Sequence, residues 1–346
     1  MVLRALEAEG HEQLVFSRDE QTGLRCIVAI HSTRLGPGLG GVRIRRYDSE
    51  DAAVEDVMRL SQAMSYKNAC AGLDFGGAKG VILGPLPDDR LAVMRAMGRI
   101  VEGLGGRYVA TEDMGMTESD VATMRQETQF AVGMSRRDGG SGDPSPHTAE
   151  GVFVGMRAAL RAAGLGSDFA DVRVAVQGCG KVGLGLIARL VQAGAQVMAA
   201  DTDEVGVNAA RTAGARIVSP DEILAVQAEV LAPCAVGAVL NERSIPGLRC
   251  QVIAGGANNQ LATPEDASRL KDRGIVYAPD FVINAGGVIN VGDELAAGGY
   301  DERRVATRVA AIEQTLDDIF REAEHSGSTT AQLAVKRAQR RIRAGR

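Results

Sequence analysis

An α/β chain in two domains is predicted by three observations. Its 346 residues exceed one ordinary domain. The first half mixes strands and helices compactly, whereas the second alternates strand and helix as an open parallel sheet does. A glycine turn, "VAVQGCGKVG", lies between a strand and a helix of that second half. The boundary falls in "RRDGGSGDPSPHTAEG", a stretch rich in Gly, Ser, Asp and Pro that reads as a linker. The expected division is an α/β domain over 1–143 and a Rossmann-like domain over 144–319, with a C-terminal helix of about 320–346 packing back on the first.

The elements follow in order. "EQLVFSRDEQTGLRCIVAIHSTRLG" reads as two strands around an Asp/Glu/Gly turn, "GPGLGG" as a loop, and "VRIRRY" as an alternating strand. Asp48 and Ser49 offer caps for a helix through "EDAAVEDVMRLSQAMSY". "KGVILG" is a short buried strand, "DRLAVMRAMGRIVEGLG" an amphipathic helix, "RYVATEDMG" a strand with a polar end, and "ESDVATMRQE" a helix. Past the linker come a helix in "AEGVFVGMRAALRAAG", the strand–turn–helix–strand of "DVRVAVQGCGKVGLGLIARLVQAGAQVMAADTD", and apolar runs in "ARIVS", "AEVLAPCA", "CQVIAGGAN" and "GIVYAPDFVINAGG". "DERRVATRVAAIEQTLDDIFREAEHSG" is a long helix.

Composition excludes several function classes. With 45% hydrophobic and 24% charged residues the chain is globular and not disordered. A net charge of −5 argues against bulk nucleic-acid binding. The basic tail "VKRAQRRIRAGR" has two readings, an anionic partner or the solvated end of a last helix, where cations suit the dipole. Cys26, Cys70, Cys179, Cys234 and Cys250 are scattered without metal-ligand spacing, so no metal site is expected and a reducing compartment fits. "MVLRALEAEGHEQLVF" is too charged for a signal peptide, and no apolar run reaches membrane-spanning length, so a cytoplasmic location is expected.

The glycine turn holds Gly178, Gly180 and Gly183 in GxGxxG spacing, with Cys179, Lys181 and Val182 between them. The first glycine permits the tight turn, the second lets a pyrophosphate approach the backbone, and the third lets helix and strand pack. The helix N-terminus then presents N–H groups and positive dipole to phosphates. Asp201 follows at the end of "QVMAAD", where a carboxylate accepts from both adenine-ribose hydroxyls and repels a 2′-phosphate, so NAD is favoured over NADP.

"MSYKNACAGLDFGGAKG" places Lys67 and Lys79 in an apolar, glycine-rich stretch. Three readings stand: solvated loop lysines, one Schiff-base lysine, or a pair that holds and activates an anionic substrate. Walker spacing is absent. In the third reading one lysine pairs with a substrate carboxylate while its charge and desolvation lower the pKa of the other, which becomes a neutral general base. Asp113, in "YVATEDMG", is either the partner acid or a helix-capping carboxylate for "MTESDV".

The segments "LGPGLGGVR", "MSYKNACAGLDFGGAKGVILG", "ATEDMGM", "GGSGDPSPHTAEGV", "VAVQGCGKVG", "APCAVGAVL", "AGGANNQL" and "YAPDFVINAGGVINVGDE" resemble, in order, the amino-acid dehydrogenase family that includes leucine, valine and phenylalanine dehydrogenases and is related to glutamate dehydrogenase. The resemblance implies a substrate-binding and oligomerisation domain followed by an NAD-binding domain, with a cleft between them. It also implies a homo-oligomer and reversible NAD-dependent deamination of an L-amino acid to a 2-oxo acid and ammonia. By motif, Lys67 in "YKNA" is similar to the lysine that binds the substrate carboxylate, Lys79 in "GGAK" to the catalytic base, and Asp113 in "EDMG" to the proton-shuttling acid. Gly40 and Gly41 resemble backbone positions lining the substrate, and Thr148 a residue at the nicotinamide end of the cofactor. Asn258 and Asn259 match cofactor and substrate-carboxylate contacts. His147 reads as a loop histidine.

The same resemblance implies a side-chain pocket of Leu39, Thr111, Val132, Val288 and Val291, none of them charged. Glutamate is therefore not expected, and a branched-chain substrate is. Leu39 and Thr111 exceed the Ala and Gly of phenylalanine-selective relatives, and leucine-selective relatives carry Ala where Thr111 stands. Two alternatives remain: an aromatic-amino-acid dehydrogenase, and a non-catalytic NAD-binding sensor, which would have no need of Lys67, Lys79 and Asp113 together.

Overall fold

The computed structural model describes residues 6, 7 and 10–345. The charged N-terminal stretch lies partly outside them, as does Arg346 of the basic tail. The chain divides into two compact units, Met1–Asp143 with Asn290–Asp301 and Arg337–Arg346, and Pro144–Ile289 with Glu302–Lys336.

The first unit runs β1 (Gln13–Asp19), β2 (Leu24–Ser32), β3 (Gly38–Arg45), α1 (Glu50–Cys70), β4 (Gly76–Leu83), α2 (Arg90–Gly103), β5 (Tyr108–Glu112) and α3 (Glu118–Arg125). Its sheet has the order β1-β2-β4-β3-β5. β1–β2 and β2–β4 are antiparallel, and β3 is parallel to β4 and β5. Asp19 closes the first turn by accepting from the N–H and hydroxyl of Thr22, both at 2.8 Å. Ser49 caps α1 through the N–H of Ala52, and α3 carries a capping box of Thr117 and Asp120. That box removes the capping reading of Asp113.

Two readings of this unit change. "GPGLGG" is loop only to Pro37, because Gly38–Gly41 lie within β3, and "GGAK" belongs to β4. The glycines are there for space. A Cβ on Gly40 would lie 1.8 Å from the Ala78 carbonyl oxygen, and one on Gly77 2.1 Å from the Ser65 nitrogen. One face of the sheet buries Val28, Ile30, Val42, Met94, Met97, Tyr108 and Met124, the aliphatic and Met-rich core that a chain with 3% aromatics requires.

The second unit runs α4 (Ser145–Ala162), β6 (Arg173–Gln177), α5 (Lys181–Gln192), β7 (Gln196–Ala200), α6 (Glu204–Thr212), β8 (Arg216–Ile217), β9 (Val230–Pro233), β10 (Val252–Ile253), α7 (Asp266–Asp272), β11 (Val276–Tyr277) and α8 (Asp280–Ile283). α9 (Gly286–Gly292), α10 (Glu302–Ser326) and α11 (Thr330–Ala344) complete the chain. The strands form one parallel sheet, β11-β10-β9-β6-β7-β8, the doubly wound order whose switch point lies between β6 and β9.

α4 begins at Ser145, earlier than "AEGV". Pro146 sits in its first turn, where a missing N–H costs nothing, so His147 is helical rather than in a loop. The expected last helix is two helices, broken at Gly327 with φ of 67°. α10 stays in the second unit, where Arg157–Glu313 at 2.6 Å and Arg161–Asp317 at 2.7 Å tie it to α4. The basic tail is the end of α11. Within the first unit Arg341 donates to the carbonyls of Asn68 and Ala69, at the C-terminus of α1, and pairs with Asp74 at 3.0 Å.

Candidate active site

In the first unit the parallel strands β3, β4 and β5 deliver charged groups at one end. Lys79 is a β4 residue with only 4% of its surface exposed. Asp113 immediately follows β5. Gly41 makes room for it, since a Cβ there would lie 2.7 Å from the Asp113 Cβ. The two meet with Lys79 Nζ 3.2 Å from Asp113 Oδ1. The other carboxylate oxygen, Oδ2, accepts from Arg43 Nε at 2.8 Å. Arg43 also donates through Nη1 to Asp56 Oδ2 at 3.1 Å.

Burial sets the protonation states. Desolvation is the largest influence on Lys79 and lowers its pKa; Asp113 opposes this and Arg43 adds to it. Desolvation pushes Asp113 up, but Lys79 and Arg43 outweigh it and hold its carboxyl down at about 2. An amine whose proton is held less tightly than usual thus faces a firmly ionised carboxylate. Arg43 is a like charge that acts on Lys79, one the two-lysine argument did not include. Lys67 itself lies half-buried in the last turn of α1. The next residue, Asn68, ties that turn to the strands by donating to the Gly76 carbonyl at 2.6 Å.

Arg43 and Asn68 are functional candidates that sequence reading missed. Arg43 shares a face of β3 with Gly41, two residues back, and that alternation was the available signal.

The expected pocket residues of this unit gather around two glycines. A Cβ on Gly133 (φ 92°) would lie 2.7 Å from Thr111 Oγ1 and 3.6 Å from Val291 Cγ1. A Cβ on Gly292 would lie 3.4 Å from Leu39 Cδ2 and 3.1 Å from the Phe75 ring. Val132 is buried beside Gly133. Glu294 fixes the loop by accepting from the N–H of Gly133 at 3.1 Å and of Ser141 at 2.6 Å. Phe75 and Glu294 were not anticipated. Val288, in α9, belongs to the second unit.

The second unit holds the glycine turn at the carboxyl end of β6. Gly178 has φ of 103°, open to glycine and strained for other residues. A Cβ on Gly183 would lie 1.9 Å from the Gly178 carbonyl oxygen, whereas one on Gly180 would meet nothing within 4 Å. Gly180 is the N-cap of α5 and supplies no side-chain acceptor, so the first-turn N–H groups have no cap from it. Lys181 is exposed at the helix start, Cys179 is buried in the turn, and Val182 packs toward Gly256. Asp201 immediately follows β7; its Oδ2 accepts from the Cys179 N–H at 2.5 Å and its Oδ1 from the Asp203 N–H at 3.0 Å. Burial opposes ionisation there, and these backbone N–H groups outweigh it. Space over Gly180, a helix start without a side-chain cap and an ionised Asp201 fit a dinucleotide without a 2′-phosphate.

Thr148 lies in the first turn of α4, donating to the Pro144 carbonyl at 3.1 Å, with its hydroxyl against Gly287. Asn258 Oδ1 accepts from Asn284 Nδ2 at 2.8 Å. Asn259 holds a left-handed backbone with φ of 51°.

The chain matches the family model "Glu/Leu/Phe/Val dehydrogenase, dimerisation domain" over residues 11–130. It also matches "Glutamate/Leucine/Phenylalanine/Valine dehydrogenase" over 139–210 and 202–344. It is 46% identical to leucine dehydrogenase of Bacillus cereus over 344 residues, 99% of this chain and 93% of that protein. It is 42% identical to phenylalanine dehydrogenase of Bacillus thermotolerans, covering 96% and 89% of the two chains. The crystal structure of L-tryptophan dehydrogenase from Nostoc punctiforme superposes with a TM-score of 0.85 at 38% identity, covering 99% of this chain and 98% of that one. The chain therefore belongs to the Glu/Leu/Phe/Val dehydrogenase family, and is an NAD-dependent amino-acid dehydrogenase rather than a non-catalytic nucleotide-binding protein.

Proposed function

We propose that the enzyme deaminates branched-chain L-amino acids, valine, leucine and isoleucine, to their 2-oxo acids and ammonia. The first unit would bind substrate and carry the chemistry, and the second would hold the dinucleotide. The observation that carries the mechanism is the buried Lys79 with a lowered pKa, 3.2 Å from an ionised Asp113. Bound NAD supplies the hydride acceptor.

The protein's own residues do the rest. Lys67 pairs with the substrate carboxylate, and Gly40 and Gly41 line the amino-acid backbone. Oxidation at Cα leaves an iminium carbon. Lys79 Nζ, whose pKa burial lowers, takes a proton from the water that attacks it. Asp113 relays that proton from Lys79 to the carbinolamine nitrogen; as the C–N bond breaks and the C=O forms, Lys79 takes the hydroxyl proton, releasing the 2-oxo acid and ammonia. Gly178 to Gly183 cradle the pyrophosphate and Asp201 the adenine ribose, while Thr148 and Asn258 serve the nicotinamide end.

The aliphatic residues around Gly133 and Gly292 support the branched-chain assignment. An aromatic substrate is the second reading, favoured by the similarity to phenylalanine and tryptophan dehydrogenases. NADH formation with valine, leucine, isoleucine, phenylalanine, tryptophan and glutamate at alkaline pH, repeated with NADP, separates the two. Branched-chain substrates with NAD should react fastest; equal or better turnover of phenylalanine sinks the assignment. Lys79→Ala should bind NAD yet do no chemistry.

We also propose a cytoplasmic homo-oligomer. Five free cysteines and the dimerisation character of the matching N-terminal family model support that reading.

A further inference from the structure

We propose that Arg43 is a positioning residue for this reaction, which holds the Asp113 carboxylate against Lys79 and is itself held by Asp56. The proposal rests on the deamination reading given above and assigns a new part to a residue outside it.

The geometry is a relay across three elements. Arg43 projects from β3 on the same face as Gly41, whose missing side chain admits Asp113. Its guanidinium divides its donors, Nε to Asp113 Oδ2 at 2.8 Å and Nη1 to Asp56 Oδ2 at 3.1 Å. Asp113 is left with Oδ1 directed at Lys79. Asp56, on α1, is anchored in turn by the Tyr47 hydroxyl at 2.8 Å and by Arg59 Nη2 at 3.0 Å. The Arg43 and Asp56 side chains are 13% and 9% exposed, so neither swings freely in water. A lysine could not replace this fork, because one ammonium cannot span both carboxylates with the same planar geometry.

Charge accounting leads to the same role. Two carboxylates, Asp113 and Asp56, face two guanidiniums, Arg43 and Arg59, so a proton on Lys79 adds a positive charge to a cluster that is already balanced. The hydroxyl of Tyr108 on β5 is buried and stays protonated, as does that of Tyr47. Lys67, in the last turn of α1, is a further cation on the Asp56 helix. Arg43 thus adds, after Lys79 itself, to the positive charge that keeps Asp113 ionised, and adds to the burial that makes a proton on Lys79 costly.

The test compares Arg43→Gln and Arg43→Lys with the parent, all full length. Steady-state rates are read with saturating NAD. The Lys79 titration is read by NMR of ¹³C-labelled lysine. The chain has five lysines, so Lys79 is assigned as the signal lost in Lys79→Arg. Arg43→Gln should lower kcat by about 100-fold, with KM for the amino acid changing less than about threefold, as misplacement of a catalytic group does. Its Lys79 titration, and the rising limb of kcat/KM against pH, should move up by about one pH unit, because a like charge has gone. Arg43→Lys should restore the titration but not kcat.

A parent-like kcat and Lys79 titration in Arg43→Gln, with only a lower melting temperature, would overturn the proposal. If Arg43→Gln does not fold, Arg43→Lys decides alone, and full activity in it would also overturn the relay. A parent without turnover on any amino acid would instead defeat the deamination reading. The Lys79 titrations would still report whether Arg43 acts on that amine.

Discussion

Gly40 and Gly180 both lack a side chain, and different surroundings explain each. At Gly40, in the middle of β3, a Cβ would lie 1.8 Å from the Ala78 carbonyl oxygen. At Gly180, the N-cap of α5, a Cβ would meet nothing within 4 Å. The first glycine is demanded by the protein itself, because the strands that present Lys79 and Asp113 pack too closely for anything larger. The second is demanded by nothing within the described residues, and its open space is where a dinucleotide pyrophosphate would come. Gly183 shows that both demands coexist in one turn, since its Cβ would lie 1.9 Å from the Gly178 oxygen.

Replacing the two glycines by alanine breaks this comparison most directly. Gly40→Ala should cost about 4 kcal/mol or more, since backbone must move on both sides and no flexible side chain can give way. A thermal melt reads this as loss of the cooperative transition or a large fall in its midpoint. A parent-like melt would mean that β3 and β4 have slack the structure does not show.

Gly180→Ala should do the opposite. Its melting temperature should stay within about 2 °C of the parent. Its NAD affinity, read by calorimetric titration, should fall about tenfold or more as the methyl enters the pyrophosphate's space. Gly183→Ala is the control that should lose both. If Gly180→Ala binds NAD as the parent does, the space over the turn is not where the cofactor lies.

The two regions also differ in how far the sequence reveals them. The turn is local: strand, glycines, helix and following acid lie within Arg173–Asp201, so spacing alone identified it. Its doubly wound sheet was legible for the same reason, since each strand–helix unit repeats the pattern. The glycines of β3 read as loop, and Gly76 and Gly77 do not read as strand, because their partners are remote. Gly40 is glycine on account of Ala78, and Gly77 on account of Ser65. Arg43 read only as one residue of an alternating strand, and only folding brings it to Asp113, seventy residues away in the chain. Lys79 was identifiable from its apolar setting. That its burial is reinforced by a guanidinium depends on contacts across three elements.

The smallest expected effect concerns Thr111, on the strand that also carries the chain to Asp113. Its backbone pairs with Gly41 in the sheet, so its side chain can be cut back without disturbing the strands. Its Oγ1 stands 2.7 Å from where a Cβ would sit on Gly133, with Val291 close on the same glycine. Thr111→Ala therefore removes a hydroxyl and a methyl from a crowded wall and leaves the Lys79–Asp113 pair in place. Discrimination by a methyl-sized group in such a pocket amounts to about 1–3 kcal/mol. The ratio of kcat/KM for leucine over valine should rise about fivefold to tenfold, at the lower end of that range. Turnover of the better substrate should change little, because the reacting groups are untouched. A ratio that stays put would remove Thr111 from the pocket, and one that moves toward valine would mean that the hydroxyl, not the size of the wall, sets the preference.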